Sequence, residues 1–235
     1  MLNNMYLPTG TSLHKVVVGQ SGSGKSYYLE ETSKAFLSRN RNPDFRMVYF
    51  SPKQEGFTDL LSEGQNPVAS IEEMHKSLSE NYLTVFYPPS EGLEDLMDEV
   101  INSLFNLRDD NPNLKTTLII DDAQVFLSSR KQASEAHRRL ALLGRSRSIN
   151  AIYVSHAIIM NKALEAQVES LTFFTMPNPI HYKDAVIRYG FNPEPYAQPL
   201  KDKQYSFVHF DVRTGEASLM NPLGSDEDVA QEEDN

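Results

Sequence analysis

Apolar and polar positions alternate along the chain between short unbroken apolar runs and spaced apolar stripes. The runs at 13–18, 45–50, 82–87, 116–120, 151–155 and 171–176 predict buried strands, the first becoming fully apolar after Lys15. Between them, 26–38 predicts a helix with Leu29, Ala35 and Phe36 as packing positions. Residues 93–107 place Leu93, Leu96, Val100, Leu104 and Leu107 at the three-to-four spacing of a buried helix face, and Asp109 to Asn113 end that helix. Further helices are predicted at 131–143 and at 182–189, the latter closed by Gly190. Residues 54–80 are broken by Gly56, Gly64 and Pro67 and read as irregular, with a short helix near 71–78. The segments 205–210 and 216–220, joined around Arg213, Thr214 and Gly215, predict a β-hairpin. Strands alternating with helices imply an α/β fold: a mostly parallel central sheet flanked by helices, with a C-terminal hairpin. No internal repeat or linker interrupts the pattern, so 1–224 reads as one domain and 225–235 as an acidic tail.

Composition narrows the chemistry. The 235 residues, 40% of them apolar, suffice for one sizeable core. The absence of cysteine excludes disulfides, thiolate catalysis and Cys-ligated zinc. The N-terminus lacks the charged start and apolar run of a signal peptide, and no stretch approaches the roughly 18–20 apolar residues of a membrane span, so a soluble protein is expected. The net charge of −10 is unevenly spread: six acids after Ser225 account for −6, leaving −4 for the body. Between Arg130 and Arg147 lie Arg130, Lys131, Arg138, Arg139, Arg145 and Arg147 against the single acid Glu135. Local charge of this kind decides where a phosphate backbone can sit, although a solvated helix face accounts for it equally well.

The segment Gly19, Gln20, Ser21, Gly22, Ser23, Gly24, Lys25, Ser26 matches G-x-x-x-x-G-K-[ST] at every position. Glycines there let successive backbone N–H groups turn inward onto phosphate oxygens, and the following helix brings its positive dipole end to the same place. Lys25 supplies a point charge for the β- and γ-phosphates of ATP, and Ser26 a hydroxyl for Mg²⁺. Tyr27 follows directly and is counted with the nucleotide-binding positions. By pattern its ring, with those of Tyr28, Tyr87 and Tyr153, belongs to the core rather than to a base-stacking platform. An apolar strand runs into the loop and a helix runs out, the context this motif requires.

Such a loop needs an acid at the end of a buried strand to hold the Mg²⁺ shell. Asp121, directly after the run 116–120, is the natural metal-side carboxylate. Asp122 then points elsewhere and is placed to orient the attacking water. A strand-to-turn cap is the plain alternative for both, since Asp is common there.

With both sites in place, the segment from Gly144 to His156, with Arg145, Arg147 and the apolar run Ala151 to Val154 before Ser155, resembles a signature of the FtsK–HerA superfamily of DNA-pumping ATPases. The small size and the Asp-Asp pair resemble, within it, the genome-packaging ATPases of membrane-containing bacteriophages and large DNA viruses. The resemblance covers roughly residues 13–190. It implies Mg-dependent ATP hydrolysis coupled to movement of double-stranded DNA by a ring of identical subunits, a hexamer by expectation. It also implies capsid vertex or portal proteins as partners, and the host cytoplasm and the virion as location. The polar residue closing this strand senses the γ-phosphate in that family; here it is His156, where glutamine is usual, and a neutral imidazole can still donate one hydrogen bond. Asp122 stands where many members carry glutamate. The family's trans-acting arginine falls on Arg145 first and Arg147 second, although helix C-termini favour arginine for the dipole alone. Two further readings differ in chemistry: a Zot-like assembly and extrusion NTPase, which usually carries a membrane span, and a small-molecule kinase, which needs an arginine-rich lid.

Overall fold

The structure is a computed structural model describing residues 14–40, 42–127, 133–158 and 162–221. The tail at 225–235, Arg130 and Lys131, and the first residues of the helix expected at 131–143 lie outside them. The strands are β1 His14–Val18, β2 Phe45–Phe50, β3 Leu83–Phe86, β4 Lys115–Ile120, β5 Ile149–Ser155, β6 Val168–Phe173, β7 Phe207–Asp211 and β8 Ala217–Met220. The helices are α1 Lys25–Arg39, α2 Ile71–Glu80, α3 Leu93–Asp110, α4 Glu135–Leu143, α5 Lys162–Glu165, α6 Ile180–Tyr189 and α7 Ala197–Asp202.

All eight strands form one sheet in the order β3-β2-β4-β5-β1-β6-β7-β8. The first six are mutually parallel, and β7 and β8 add as an antiparallel hairpin at one edge. The pleat divides each central strand between two cores. Val16, Val48, Phe50, Leu118 and Ile120 face the side that carries α2, α3, α4 and α6. Val17, Met47, Tyr49, Ile119 and Val154 face the side covered by α1 and by Phe57, Leu60 and Leu61. Burial on both faces explains why these strands read as continuous apolar runs and not as alternating ones.

Local polar chemistry sets the helix starts. Ser70 Oγ accepts from Glu73 N–H (3.3 Å) and Glu73 Oε2 accepts from Ala69 N–H (2.9 Å), which begins α2. Ser134 Oγ accepts from His137 N–H (3.2 Å) and donates to Asp98 Oδ1 (2.6 Å), so one hydroxyl caps α4 and ties it to α3. Among the described residues no helix is long and apolar enough to cross a membrane.

The strand expected at 171–176 is shifted: β6 runs from Val168 to Phe173. Its first half carries Glu169 and Ser170, which hide it from a search for apolar runs. Glu169 is there because it meets Arg213 of the hairpin loop at 2.9 Å. Past Phe173 the regular pairing ends, although Phe174 N–H still donates to Val18 O (2.8 Å), and the Thr175 hydroxyl donates to Leu200 O of α7 (2.7 Å). Helices α5 and α7, at four and six residues, were too short for periodicity to reveal.

His14 fixes the entry of β1 among its neighbours. Its Nδ1 accepts from Ala151 N–H (3.0 Å), so Nε2 carries the proton and donates to Leu140 O (3.1 Å). Burial lowers its pKa to about 4, against a smaller opposing effect of the Leu140 carbonyl; burial likewise lowers that of His209 to about 4. The unfolded chain therefore binds more protons between pH 6.5 and 4, and stability present above pH 6.5 is lost as pH falls through that window. For His14 the loss is about 3 kcal/mol. Urea denaturation followed from pH 7 to pH 4.5 is expected to show a falling midpoint, with a shallower fall in His14→Gln.

Candidate nucleotide site

The loop after β1 is fastened to the carboxyl ends of both neighbouring strands. Gly19 N–H donates to Ser155 O (3.2 Å), and Gln20 N–H donates to Thr175 O (3.0 Å). Only glycine fits at position 19, because a Cβ there would lie 2.5 Å from Phe174 Cβ and 2.6 Å from Ser23 Oγ. Gly24, at φ +103°, turns the chain into α1. Lys25 Nζ donates to Gly19 O (2.7 Å) and Gln20 O (2.9 Å), so its charge lies folded back over the loop. Burial lowers the Lys25 pKa to about 8; Asp121 opposes that shift, Lys53 adds to it and Asp122 opposes it more weakly. Ser23 Oγ is buried without a hydrogen-bond partner among the described residues, an orphan that a phosphate oxygen in this cradle would satisfy. Ser26 is exposed.

The two acids part company at the end of β4. Asp121 Oδ2 accepts from Tyr49 OH (3.2 Å) and Oδ1 from Asp122 N–H (3.0 Å). Asp122 adopts the left-handed conformation (φ 48°, ψ 43°), tolerated by Asp better than by most residues, which sends its side chain away from that of Asp121. Burial, then the charge of Asp122, raises the Asp121 pKa. Burial alone would raise that of Asp122 too, but hydrogen bonds from Lys53 and Gln124 outweigh it and hold Asp122 below the ordinary value. The environments therefore differ: Asp121 is desolvated beside a phenol, and Asp122 is held by Lys53 and Gln124.

Strand order brings the third group in. Because β5 lies between β1 and β4, the residue after it falls between the loop and the acids. That residue is His156: Nδ1 is 3.2 Å from Lys25 Nζ and Nε2 is 3.2 Å from Asp122 Oδ1. An ammonium only donates, so Nδ1 accepts from Lys25 and Nε2 carries the proton, facing Asp122. Lys25, Ser26, Lys53, Asp121, His156 and Tyr205 line one cavity of 510 Å³. Its donor set suits a phosphate chain with a hard cation. Among the described residues no cluster of three or more His, Cys, Asp or Glu forms a metal cage, so a Mg²⁺ here would be held by Ser26, Asp121, water and phosphate, as that ion prefers.

Five placements differ from, or go beyond, the sequence reading. The ring of Tyr27 is 45% exposed, not core, because the first turn of α1 points it outward beside Tyr205, also exposed, with centroids 6.4 Å apart. Tyr87 is half-buried, its hydroxyl donating to Gly56 O (2.6 Å), whereas Tyr28 and Tyr153 are buried as expected. Lys53 and Glu55 enter the cavity from the irregular stretch after β2, and Tyr205 from the approach to β7. Only a lone lysine shortly after an apolar run could have marked Lys53, and such a signal is too common to use.

The arginines are elsewhere. Arg145 and Arg147 form a short turn ahead of β5, at the amino end of a seven-residue strand whose carboxyl end carries His156. At about 3.3 Å per residue they stand roughly 20 Å from the site of their own chain. Arg147 pairs with Asp109 (2.6 Å), while the exposed Arg145 pairs with no acid among the described residues. Arg139 lies over the Phe105 ring at 4.1 Å, which ties it to α3, and Arg138 is exposed.

No protein-family model and no curated protein matches the sequence. Solved structures do. The genome packaging NTPase B204 from Sulfolobus turreted icosahedral virus 2, in complex with ATP-gammaS, superposes with a TM-score of 0.73 at 15% identity, over 90% of this chain and 98% of that one. B204 described as the DNA-packaging ATPase from Sulfolobus turreted icosahedral virus gives 0.69 at 18% identity, over 92% and 100%. This chain has the fold of the packaging NTPase B204. The pCW3 conjugation coupling protein TcpA (TM-score 0.61, 13% identity) and the Type VII secretion ATPase EccC of Thermomonospora curvata (0.62, 13%) share the core, but this chain spans only 62% and 25% of their lengths.

The tightness at Gly19 has a measurable effect. Gly19→Ala is expected to cost about 1–3 kcal/mol by overpacking, read in urea denaturation. Ser21→Ala, at an exposed position of the same loop, is expected to stay within about 0.5 kcal/mol of the parent.

Proposed function

We propose that this chain is an ATP-hydrolysing motor that translocates double-stranded DNA into a preformed viral capsid, working as a ring of identical subunits, a hexamer by resemblance. The observation that carries the reading is the overlap with B204 across nearly the whole of both chains. The convergence of Lys25, Asp121 and His156 on one cavity, with Asp122 against His156 beside it, supports it.

In this reading Gly19 to Ser26, with Tyr27, bind the nucleotide. The loop N–H groups and Lys25 take the phosphates, and the approach of a triphosphate draws Lys25 Nζ off the carbonyls of Gly19 and Gln20. Ser26 and Asp121 hold Mg²⁺, which when bound neutralises phosphate charge. A cation beside Asp121 favours its ionised form and offsets the effect of burial. Asp122 orients the attacking water, and His156, already touching both Lys25 and Asp122, reports the terminal phosphate. The roughly 20 Å between Arg145 and its own cavity suits an arginine that serves the next subunit, and the ion pair of Arg147 makes Arg145 the first choice. Arg138 and the basic residues near it are the DNA-facing candidates. The domain assignment at 1–224, docking at a capsid vertex or portal, and residence in host cytoplasm and virion belong to the same proposal.

Long double-stranded DNA is expected to stimulate ATP hydrolysis by the purified chain, and Lys25→Ala to lower it by about a hundredfold or more. Lys25→Ala and Arg145→Ala, each inactive, are expected to regain turnover when mixed, since some boundaries then pair an intact loop with an intact arginine. Turnover indifferent to DNA would overturn the motor reading. Failure of the mixture to recover would overturn the trans arginine.

A further inference from the structure

Lys53 occupies the site without a role in the scheme above. It is the third residue after β2, its side chain is 45% exposed, and its Nζ lies 2.8 Å from Asp122 Oδ2. The other oxygen of Asp122 receives Gln124 Nε2–H (3.0 Å) and faces His156 Nε2 (3.2 Å). Lys53 is thus the one donor on Oδ2, and a water approaching that oxygen has to compete with an ammonium already seated there. The described arrangement is therefore a resting one.

The charges around the cavity suggest what frees it. Lys25 and Lys53 stand against Asp121, Asp122 and Glu55, so two positive groups face three carboxylates and no cation is left over. A magnesium-bound triphosphate adds net negative charge, densest on its terminal phosphate, next to a lysine on a flexible four-carbon stem that needs no backbone movement to turn. Lys53 lines the same cavity as Lys25 and Ser26.

Resting on the nucleotide-site reading, we propose that Lys53 is a second lysine for the terminal phosphate of ATP, which it reaches by giving up its ion pair with Asp122. In the resting site it blocks Asp122. With a triphosphate bound it turns to the phosphate, and Asp122 Oδ2 becomes open to the attacking water. A diphosphate lacks the group that draws Lys53 away, so Asp122 is blocked again once the terminal phosphate departs. The same side chain thereby strengthens triphosphate binding and confines water activation to the triphosphate state.

The test is equilibrium binding of a fluorescent non-hydrolysable ATP analogue and of fluorescent ADP, each with Mg²⁺, to the full chain. Lys53→Met is expected to weaken the triphosphate about tenfold or more and to leave ADP within about twofold, the loss of one charged hydrogen bond. Lys53→Arg keeps the charge and is expected to retain most of that discrimination. Asp122→Asn removes the competitor, so it is expected to tighten the triphosphate severalfold, and this gain should vanish in the Lys53→Met, Asp122→Asn double variant. Equal weakening of both nucleotides by Lys53→Met, no weakening of either, or a gain that persists in the double variant would each overturn the inference. A parent chain that bound neither nucleotide would overturn the nucleotide site itself, a failure distinct from these.

Discussion

The parallel pairing of β1 with β5 on one side and β6 on the other places the loop and His156, and the next ladder, β5 with β4, adds the two acids. Those two ladders bury β1 completely and hold the first two residues of the loop by single backbone hydrogen bonds from each neighbour. Parallel strands end together, so the loop, His156 after β5 and the acids after β4 arrive at one edge of the sheet without any side chain arranging it. The same pairing determines what stays away: residues ahead of β5, Arg145 and Arg147 among them, emerge at the opposite edge. Which residues gather at the candidate site and which lie at the far end of the sheet thus follows from strand direction.

Electrostatics then differentiates residues of the same type. Asp121 and Asp122 are adjacent, yet a left-handed backbone at Asp122 separates their side chains into a desolvated pocket and a ring of donors. Two carboxylates whose environments push their proton affinities in opposite directions are a recurrent mark of a working site. His156 joins the acid cluster to the loop, because geometry leaves it only one tautomer: acceptor toward Lys25, donor toward Asp122. A glutamine amide has a donor and an acceptor end as well, which accounts chemically for histidine at this position.

The sequence made the frame and the site's centre legible wherever one local rule dominated. Strands buried on both faces leave continuous apolar runs, and the phosphate loop needs glycines at fixed offsets. An acid after an apolar strand is common at turns, and it gained meaning only beside the phosphate loop. The reading failed where tertiary contact overrides such rules. The start of β6 is polar because Glu169 answers Arg213 from a hairpin that comes much later in the chain. Tyr27 fits a core pattern but sits on the outward side of the first turn of α1, beside Tyr205. Lys53 and Tyr205 come from loops, and only the folded backbone brings them to the cavity.

The position of β1 in the sheet also sets an order in time. His14, where this strand begins, accepts a hydrogen bond from a residue 137 positions further along, and the next residue, Lys15, pairs with both Ile152 and Ser170. A nascent chain therefore carries its phosphate loop long before the loop has walls. Strand β1 can dock only after β5 and β6 have been made, whereas β2, β3 and β4 already have one another. Long-range parallel pairing of this kind is slow and leaves apolar edges open meanwhile. The segment that reads most clearly in the sequence is thus among the last to gain its structure, and the cavity beside it exists only once the sheet is nearly complete.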